Sequence, residues 1–243
     1  MEGKIIILAA GKGTRIGAVD KPKVLLELAG RPMIEHLISH IVGRPIVVIG
    51  FGAEQVKKQL GDRVDYAIQT EQLGTGHAVA SAKELLKDFR GPIVVLYGDH
   101  PLVSPETIQT LFNLYEKEQA YVSMLTTEVI DFDEWREGFY AYGRILRNDD
   151  DQIVAIRELK DCFESEKQIL EVNPGYYCFD SEWLWENIDK LQNTNQQKEY
   201  YLTDLVEMAV KQGEKIPSEK LDPIECLGIN TKEQLELVGK LLG

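Results

Sequence analysis

The chain has 243 residues, enough for one α/β domain with a substantial core and no structural disulfides or metals. Lys and Arg number 27 against 40 Asp and Glu, a net charge of −13 that argues against a nucleic-acid backbone as partner. Three cysteines, odd in number and without a C-x-x-C, exclude a disulfide framework and suit a reducing cytosol.

The N-terminal apolar run, Lys4–Ala9, is too short for a signal peptide, and no stretch approaches the ~20 apolar residues that cross a bilayer. A cytoplasmic chain with no membrane partner is expected. Lys4–Ala9 reads as a strand buried on both faces, and Ile46–Ile49 and Ile93–Leu96 repeat the pattern, each preceded by Pro, with Gly50 directly after the first and Gly98 two residues after the second. Between them, Met33, Ile34, Leu37, Ile38 and Ile41 form a helical stripe opened by Pro32. Ala53–Leu60 ends at Gly61 as a capped helix, and Ser104-Pro105 opens another with Ile108, Leu111, Phe112 and Tyr115 on one face. Strands alternating with helices predict a Rossmann-like α/β fold, a mostly parallel sheet with helices on both faces.

Beyond Thr127 the alternation loosens. Glu128–Ala141 reads as a long loop, and Arg144–Arg147 with Gln152–Arg157 as a hairpin turned by Asn148-Asp149-Asp150-Asp151. Helices are expected over Ser181–Leu191 and Tyr201–Gln212, and Thr231-Lys232-Glu233-Gln234 offers a capping box for a last helix to Leu242. With no linker and no internal repeat, residues 1–243 read as one domain, with a first part over about 1–127 and a substrate-facing part over about 128–243.

In such sheets ligands bind beyond the carboxyl ends of the strands, where Gly11-Lys12-Gly13-Thr14-Arg15-Ile16-Gly17 and Gly98-Asp99 fall. The glycine spacing misses the dinucleotide fingerprint by one residue, and no acidic residue ends the second strand to hold a ribose. A P-loop cannot be laid on the same residues. What remains is a glycine-rich turn carrying Lys and Arg, followed by Lys21-Pro22-Lys23, which suits a compact polyanion such as a triphosphate.

Leu8-Ala9-Ala10-Gly11-Lys12-Gly13-Thr14-Arg15 with Lys21-Pro22-Lys23 resembles the signature of sugar-1-phosphate nucleotidyltransferases. The resemblance continues in order through Gln69–Ala78, Tyr97-Gly98-Asp99, Tyr142–Ile145, Glu158, Asn173 with Gly175, Glu199–Asp204 and Gly228-Ile229-Asn230. The whole set is most similar to the uridyltransferase domain of bacterial N-acetylglucosamine-1-phosphate uridyltransferases. It implies the nucleotide-diphospho-sugar transferase fold, with UTP and N-acetylglucosamine 1-phosphate as substrates and Mg²⁺ as cofactor. Leu8, Ala9, Ala10, Gly11, Gly13, Thr14, Gln69, Gly74 and Thr75 would then hold the nucleotide. Tyr97, Gly98, Gly143, Glu158 and Asn173 would form the sugar side, Asp99 and Asn230 the metal ligands, and Arg15 and Lys23 the catalytic cations.

Pro174, Leu159 and His100 depart from the family pattern, and Glu128–Ala141 looks longer than typical. The left-handed β-helix that carries acetyl transfer in bifunctional relatives has no counterpart here, so a monomer or dimer is expected. A cytidylyltransferase of the same fold, a non-catalytic subunit and a dinucleotide oxidoreductase are the rivals; the last lacks its motif. His36 and His40, spaced i, i+4 off the apolar stripe, are expected to be exposed rather than metal ligands. Trp183, Trp185, Tyr200 and Tyr201 read as packing residues, and His77, beside the nucleotide loop, has no paired acid to make it a base.

Overall fold

The structure, a computed structural model, describes residues 3–13, 16–17 and 20–243. The first apolar run forms β1 (Lys4–Leu8). A short ribbon, β2 (Glu27–Leu28) and β3 (Arg31–Pro32), leads into α1 (Met33–Ile38), β4 (Ile46–Ile49), α2 (Ala53–Leu60) and β5 (Asp65–Ile68). Two short helices, α3 (Thr75–Ala80) and α4 (Lys83–Leu86), precede β6 (Pro92–Tyr97) and α5 (Pro105–Glu118). Then come β7 (Val122–Glu128), β8 (Gly143–Arg147), β9 (Ile153–Arg157), β10 (Glu171–Asp180), α6 (Ser181–Asn187), α7 (Asp204–Lys211), β11 (Ser218–Leu221) and α8 (Lys232–Leu242).

The main sheet runs β11-β7-β10-β6-β1-β4-β5, with the β8–β9 hairpin attached to β10. β1 pairs parallel with β4 and β6, and β4 parallel with β5, so these strands all end on one edge. The α/β expectation of a mostly parallel, doubly covered sheet holds. Its exceptions are β10, which runs antiparallel between β6 and β7, and the β8–β9 hairpin, which joins β10 through antiparallel pairing.

Period-two alternation divides the core. Ile5, Ile7, Val47, Ile49, Val94 and Leu96 face α1, α2 and α5 through Met33, Leu37, Val56, Leu60 and Leu111. Ile6, Leu8, Val48, Ile93 and Val95 face the other layer, which includes Val79, Trp183, Leu184, Leu205 and Val206. Each such side chain contributes roughly 1.5–3 kcal/mol on burial, which fixes the register of the strands that carry the site.

Two expectations are corrected. Residues 128–141 are not simply a loop: a 3₁₀ helix covers Glu134–Ala141, with Phe139 buried. It is held by the fully buried Arg144, which donates to the Tyr142 carbonyl and, at 2.9 Å, to the Tyr140 carbonyl, with its guanidinium over the Phe132 and Tyr140 rings. Nor are the paired histidines exposed. His36 is buried, donating from Nε2 to the Leu28 carbonyl at 2.8 Å and accepting from Arg31 Nε at 3.2 Å, while His40 Nδ1 lies 2.8 Å from the Val103 carbonyl. They tie α1 to the β2–β3 ribbon and to the α5 approach rather than to a metal.

Candidate active site

Where β1 and β6 end side by side, the chain leaves the sheet twice. Gly98 N donates to the Leu8 carbonyl at 2.9 Å, and a Cβ at Gly98 would lie 3.3 Å from that oxygen and 3.2 Å from Val24, so glycine lets the two turns meet. Around this point lies a cavity of about 250 Å³. Leu8, Ala9, Ala10 and Gly11 line it from the end of β1 and the turn beyond, Gln69, Gly74 and Thr75 from the β5–α3 connection and the start of α3, and Tyr97 and Asp99 from the end of β6 and its turn, with Lys23 and Glu199 among the other lining residues.

The β5–α3 connection is clamped from a distant part of the chain. Tyr200 N donates to the Leu73 carbonyl and Gly76 N to the Tyr200 carbonyl, both at 2.8 Å, and Leu202 N donates to Thr75 Oγ1 at 3.0 Å. Gly74 has φ +112, and a Cβ there would lie 2.6 Å from the Tyr200 carbonyl oxygen, so only glycine permits this approach. The run Glu199–Asp204, which sequence patterning marked without a mechanical role, thus holds the β5–α3 connection in place.

Lys23, Asp99 and Asn230 converge although they are far apart in sequence. Lys23 Nζ makes an ion pair with Asp99 and donates to Asn230 Oδ1 at 3.0 Å. Burial alone would raise the Asp99 carboxyl, but Lys23 and His100 beside it hold it below the usual carboxylate range. Two oxygens gathered on one cationic group form a donor set that fits a hard divalent cation completed by phosphate and water oxygens. Among the described residues, no cluster of three His, Cys, Asp or Glu side chains offers a richer metal site. Gly13 lies against Lys23, where a Cβ would come within 2.7 Å of the lysine Cβ. Thr14 and Arg15 lie outside the described residues.

Behind Asp99, the buried His100 lies 2.7 Å from Tyr176 Oη through Nδ1, and Tyr176 donates to the Glu225 carbonyl at 3.0 Å. The tyrosine proton is therefore spent, and His100 must be the donor to it. Burial keeps His100 neutral, its pKa pushed down to about 4 despite Asp99. This buried pair explains how a histidine is tolerated where the family pattern has a smaller residue.

On the other side of Tyr97, Gly143 and Glu158 come together: a Cβ at Gly143 would lie 3.5 Å from Glu158 Oε1. Burial pushes the Glu158 carboxyl up to about 7, opposed by the 3.2 Å hydrogen bond from Thr203 and reinforced by Asp204, Asp161 and Glu199. Asn173 sits nearby but is occupied by its own strand. Its Nδ2 donates to Tyr177 Oη at 2.6 Å, and its Oδ1 accepts from Gly175 N at 2.9 Å.

A cation-lined glycine turn and a paired Asp–Asn at the carboxyl edge of a parallel sheet define a nucleotide-handling α/β protein. The chain belongs to the family of MobA-like NTP transferase domains, which it matches over residues 5–199. It is 43% identical over 235 residues to the Bifunctional protein GlmU of Halalkalibacterium halodurans, covering 95% of this chain and 50% of that protein. To the Bifunctional protein GlmU of Oceanobacillus iheyensis it is 41% identical over 242 residues, covering 98% and 51%. The chain thus spans about half the length of the curated relatives it matches. The crystal structure of a UDP-glucose pyrophosphorylase complexed with UDP-glucose superposes with a TM-score of 0.77 at 18% identity, covering 100% of this chain and 98% of that one, a likeness of fold. The family and these relatives agree with the resemblance carried by the sequence motifs.

Proposed function

We propose that the chain transfers a uridylyl group from UTP to N-acetylglucosamine 1-phosphate in the cytosol, giving a UDP-sugar and pyrophosphate with Mg²⁺ as cofactor. The observation that carries this reading is the convergence of Lys23, Asp99 and Asn230 at the mouth of the cavity lined by Leu8–Gly11, Gln69, Gly74 and Thr75. In this reading the cavity takes the base, with backbone and amide groups matching its donors and acceptors. Asp99 and Asn230 would hold Mg²⁺, which supplies charge neutralisation to the transferred phosphoryl group. Tyr97, Gly98, Gly143 and Glu158 face the acceptor sugar, while Asn173 shapes that side through Tyr177 and Gly175.

No protein nucleophile is required. An oxygen of the sugar phosphate attacks the α-phosphorus in line, the bond to the bridging oxygen breaks, and pyrophosphate carries the electron pair away. Two polyanions must be aligned against their repulsion, so positioning and neutralisation carry the catalysis. Lys23 would move from Asp99 onto the α-phosphate and the attacking phosphate, and Arg15 would neutralise the leaving pyrophosphate.

The test pairs each nucleoside triphosphate with a panel of sugar 1-phosphates and a phosphoalcohol, with Mg²⁺, and reads pyrophosphate release. Release is expected with UTP and N-acetylglucosamine 1-phosphate. Release only with glucose 1-phosphate would keep the reaction class and refute the acceptor; release with CTP and the phosphoalcohol would establish the cytidylyl rival.

A further inference from the structure

We propose that His77 is a positioning residue that locks the Gln69 amide in one orientation, so that the base pocket presents a hydrogen-bond acceptor and selects UTP over CTP. The proposal rests on the nucleotide-pocket reading above.

Gln69 is only 4% exposed and lines the cavity. Its backbone N–H donates to the Ile49 carbonyl at 2.8 Å, which anchors it at the end of β5. Its side-chain Nε2 lies 3.0 Å from the Gly74 carbonyl oxygen. A carbonyl only accepts, so the amide group facing it must be the NH₂ and not the oxygen. The same nitrogen lies 3.2 Å from His77 Nδ1. With Nε2 already fixed as a donor, Nδ1 must carry its lone pair and the ring proton must sit on His77 Nε2.

Both amide protons of Gln69 are then spent. Its Oε1 has no partner among the described residues and is the polar atom left for a ligand in the cavity. An acceptor in that place pairs with the N3–H of uracil and opposes the bare N3 of cytosine. Turning the amide would set Oε1 against two acceptors at once, the Gly74 carbonyl and His77 Nδ1. Without His77 only the Gly74 carbonyl opposes the turn, so an amide that offers its NH₂ to cytosine costs one unfavourable acceptor pair instead of two. His77 is held for this task by α3, where the Ser81 hydroxyl donates to the His77 carbonyl at 2.9 Å. It needs no paired acid, because it acts as an acceptor and not as a base.

Wild type, His77→Ala and His77→Asn are compared for kcat and KM with UTP and with CTP at saturating acceptor, with thermal unfolding midpoints recorded alongside. Asn can place Oδ1 where Nδ1 sits and accept the same proton. His77→Ala is expected to lower the UTP-to-CTP ratio of kcat/KM by about tenfold, the size of one misplaced hydrogen bond, acting through KM with kcat within about twofold. His77→Asn is expected to restore the ratio to within about threefold of wild type. A UTP-preferring wild type whose preference survives His77→Ala overturns the lock alone, as does equal loss in both variants. A wild type that uses CTP as readily as UTP overturns the base reading and the lock with it.

Discussion

Lys23 already occupies the two oxygens that a divalent cation would need. On the proposed reading, cation binding at Asp99 and Asn230 would compete with an internal ammonium, and releasing that ammonium would make it available to phosphate. Lys23→Met is expected to lower turnover by about 10²–10³, the cost typical of a lost transition-state contact. The same variant should bind Mn²⁺ more tightly than wild type when no nucleotide is present, as read by electron paramagnetic resonance. Equal or weaker Mn²⁺ binding would show that the lysine does not compete for the site. Lys23, Asp99 and Asn230 were legible in the sequence as separate motif members. That the lysine bridges the other two was not, since nothing in the order of the chain places residues 23, 99 and 230 around one point.

Glu158 carries a pH dependence whose sign follows from its environment. An unfolded glutamate loses its proton near the ordinary value of 4.5, whereas the folded one keeps it up to about 7. Between these values the folded state binds more protons, so stability from this group is full below 4.5 and is lost as pH rises through 7. Glu158→Gln is expected to leave the melting temperature of the free protein little changed at pH 4 and to raise it above wild type at pH 8. Asp204, pushed up to about 6 by burial and by Glu207 and Asp161, contributes a residual slope of the same sign. Identical shifts at the two pH values, seen by calorimetry, would contradict the burial-driven raise.

At the scale of elements, the strands buried on both faces were the legible ones. β1, β4 and β6 have apolar runs bounded by Gly, and their ranges match the sequence reading to within a residue or two. β10 escaped because Asn173-Pro174-Gly175 breaks its pattern, and the structure shows why: pairing with β7 shifts register between Val172 and Tyr176. Gly175 adopts φ +87 there, and a Cβ would lie 2.2 Å from the Tyr97 ring. Gly175→Ala is expected to destabilise the fold by about 2–4 kcal/mol, from overpacking and positive-φ strain, and to impair the site by displacing Tyr97. Chemical denaturation measures the first effect; a loss under about 0.5 kcal/mol would mean that the bulge absorbs the methyl group. The helix α3 was also missed, because Thr75-Gly76-His77-Ala78 has too little apolar periodicity to announce six helical residues. The 3₁₀ helix over Glu134–Ala141 depends on Arg144, a tertiary contact that local pattern cannot show.

At the scale of the molecule, one sheet gathers Leu8–Gly11, Gln69, Tyr97 and Asp99 of the candidate site at the carboxyl ends of β1, β5 and β6. β10, drawn from the part read as substrate-facing, lies between β6 and β7, so the two halves of the chain share a core instead of meeting at a boundary. The net charge of −13 gives the surface no general affinity for anions, which leaves the glycine turn and the Lys21–Lys23 segment as the local exception. Fold class was legible because alternation and burial repeat many times along the chain. The shape of the proposed acceptor side was not, because it depends on single contacts such as Thr203 to Glu158 and Asn173 to Tyr177.

The proposed reaction at this edge joins a uridylyl group to a sugar 1-phosphate. Phosphorus-31 NMR of the protein incubated with Mg²⁺, UTP and N-acetylglucosamine 1-phosphate follows every phosphorus atom in that reaction. The sugar phosphate resonance is expected to fall as the paired signals of a UDP-sugar and the single signal of pyrophosphate grow in equal molar amount. Unchanged spectra, or UTP hydrolysed to UMP and pyrophosphate with the sugar phosphate intact, would contradict it.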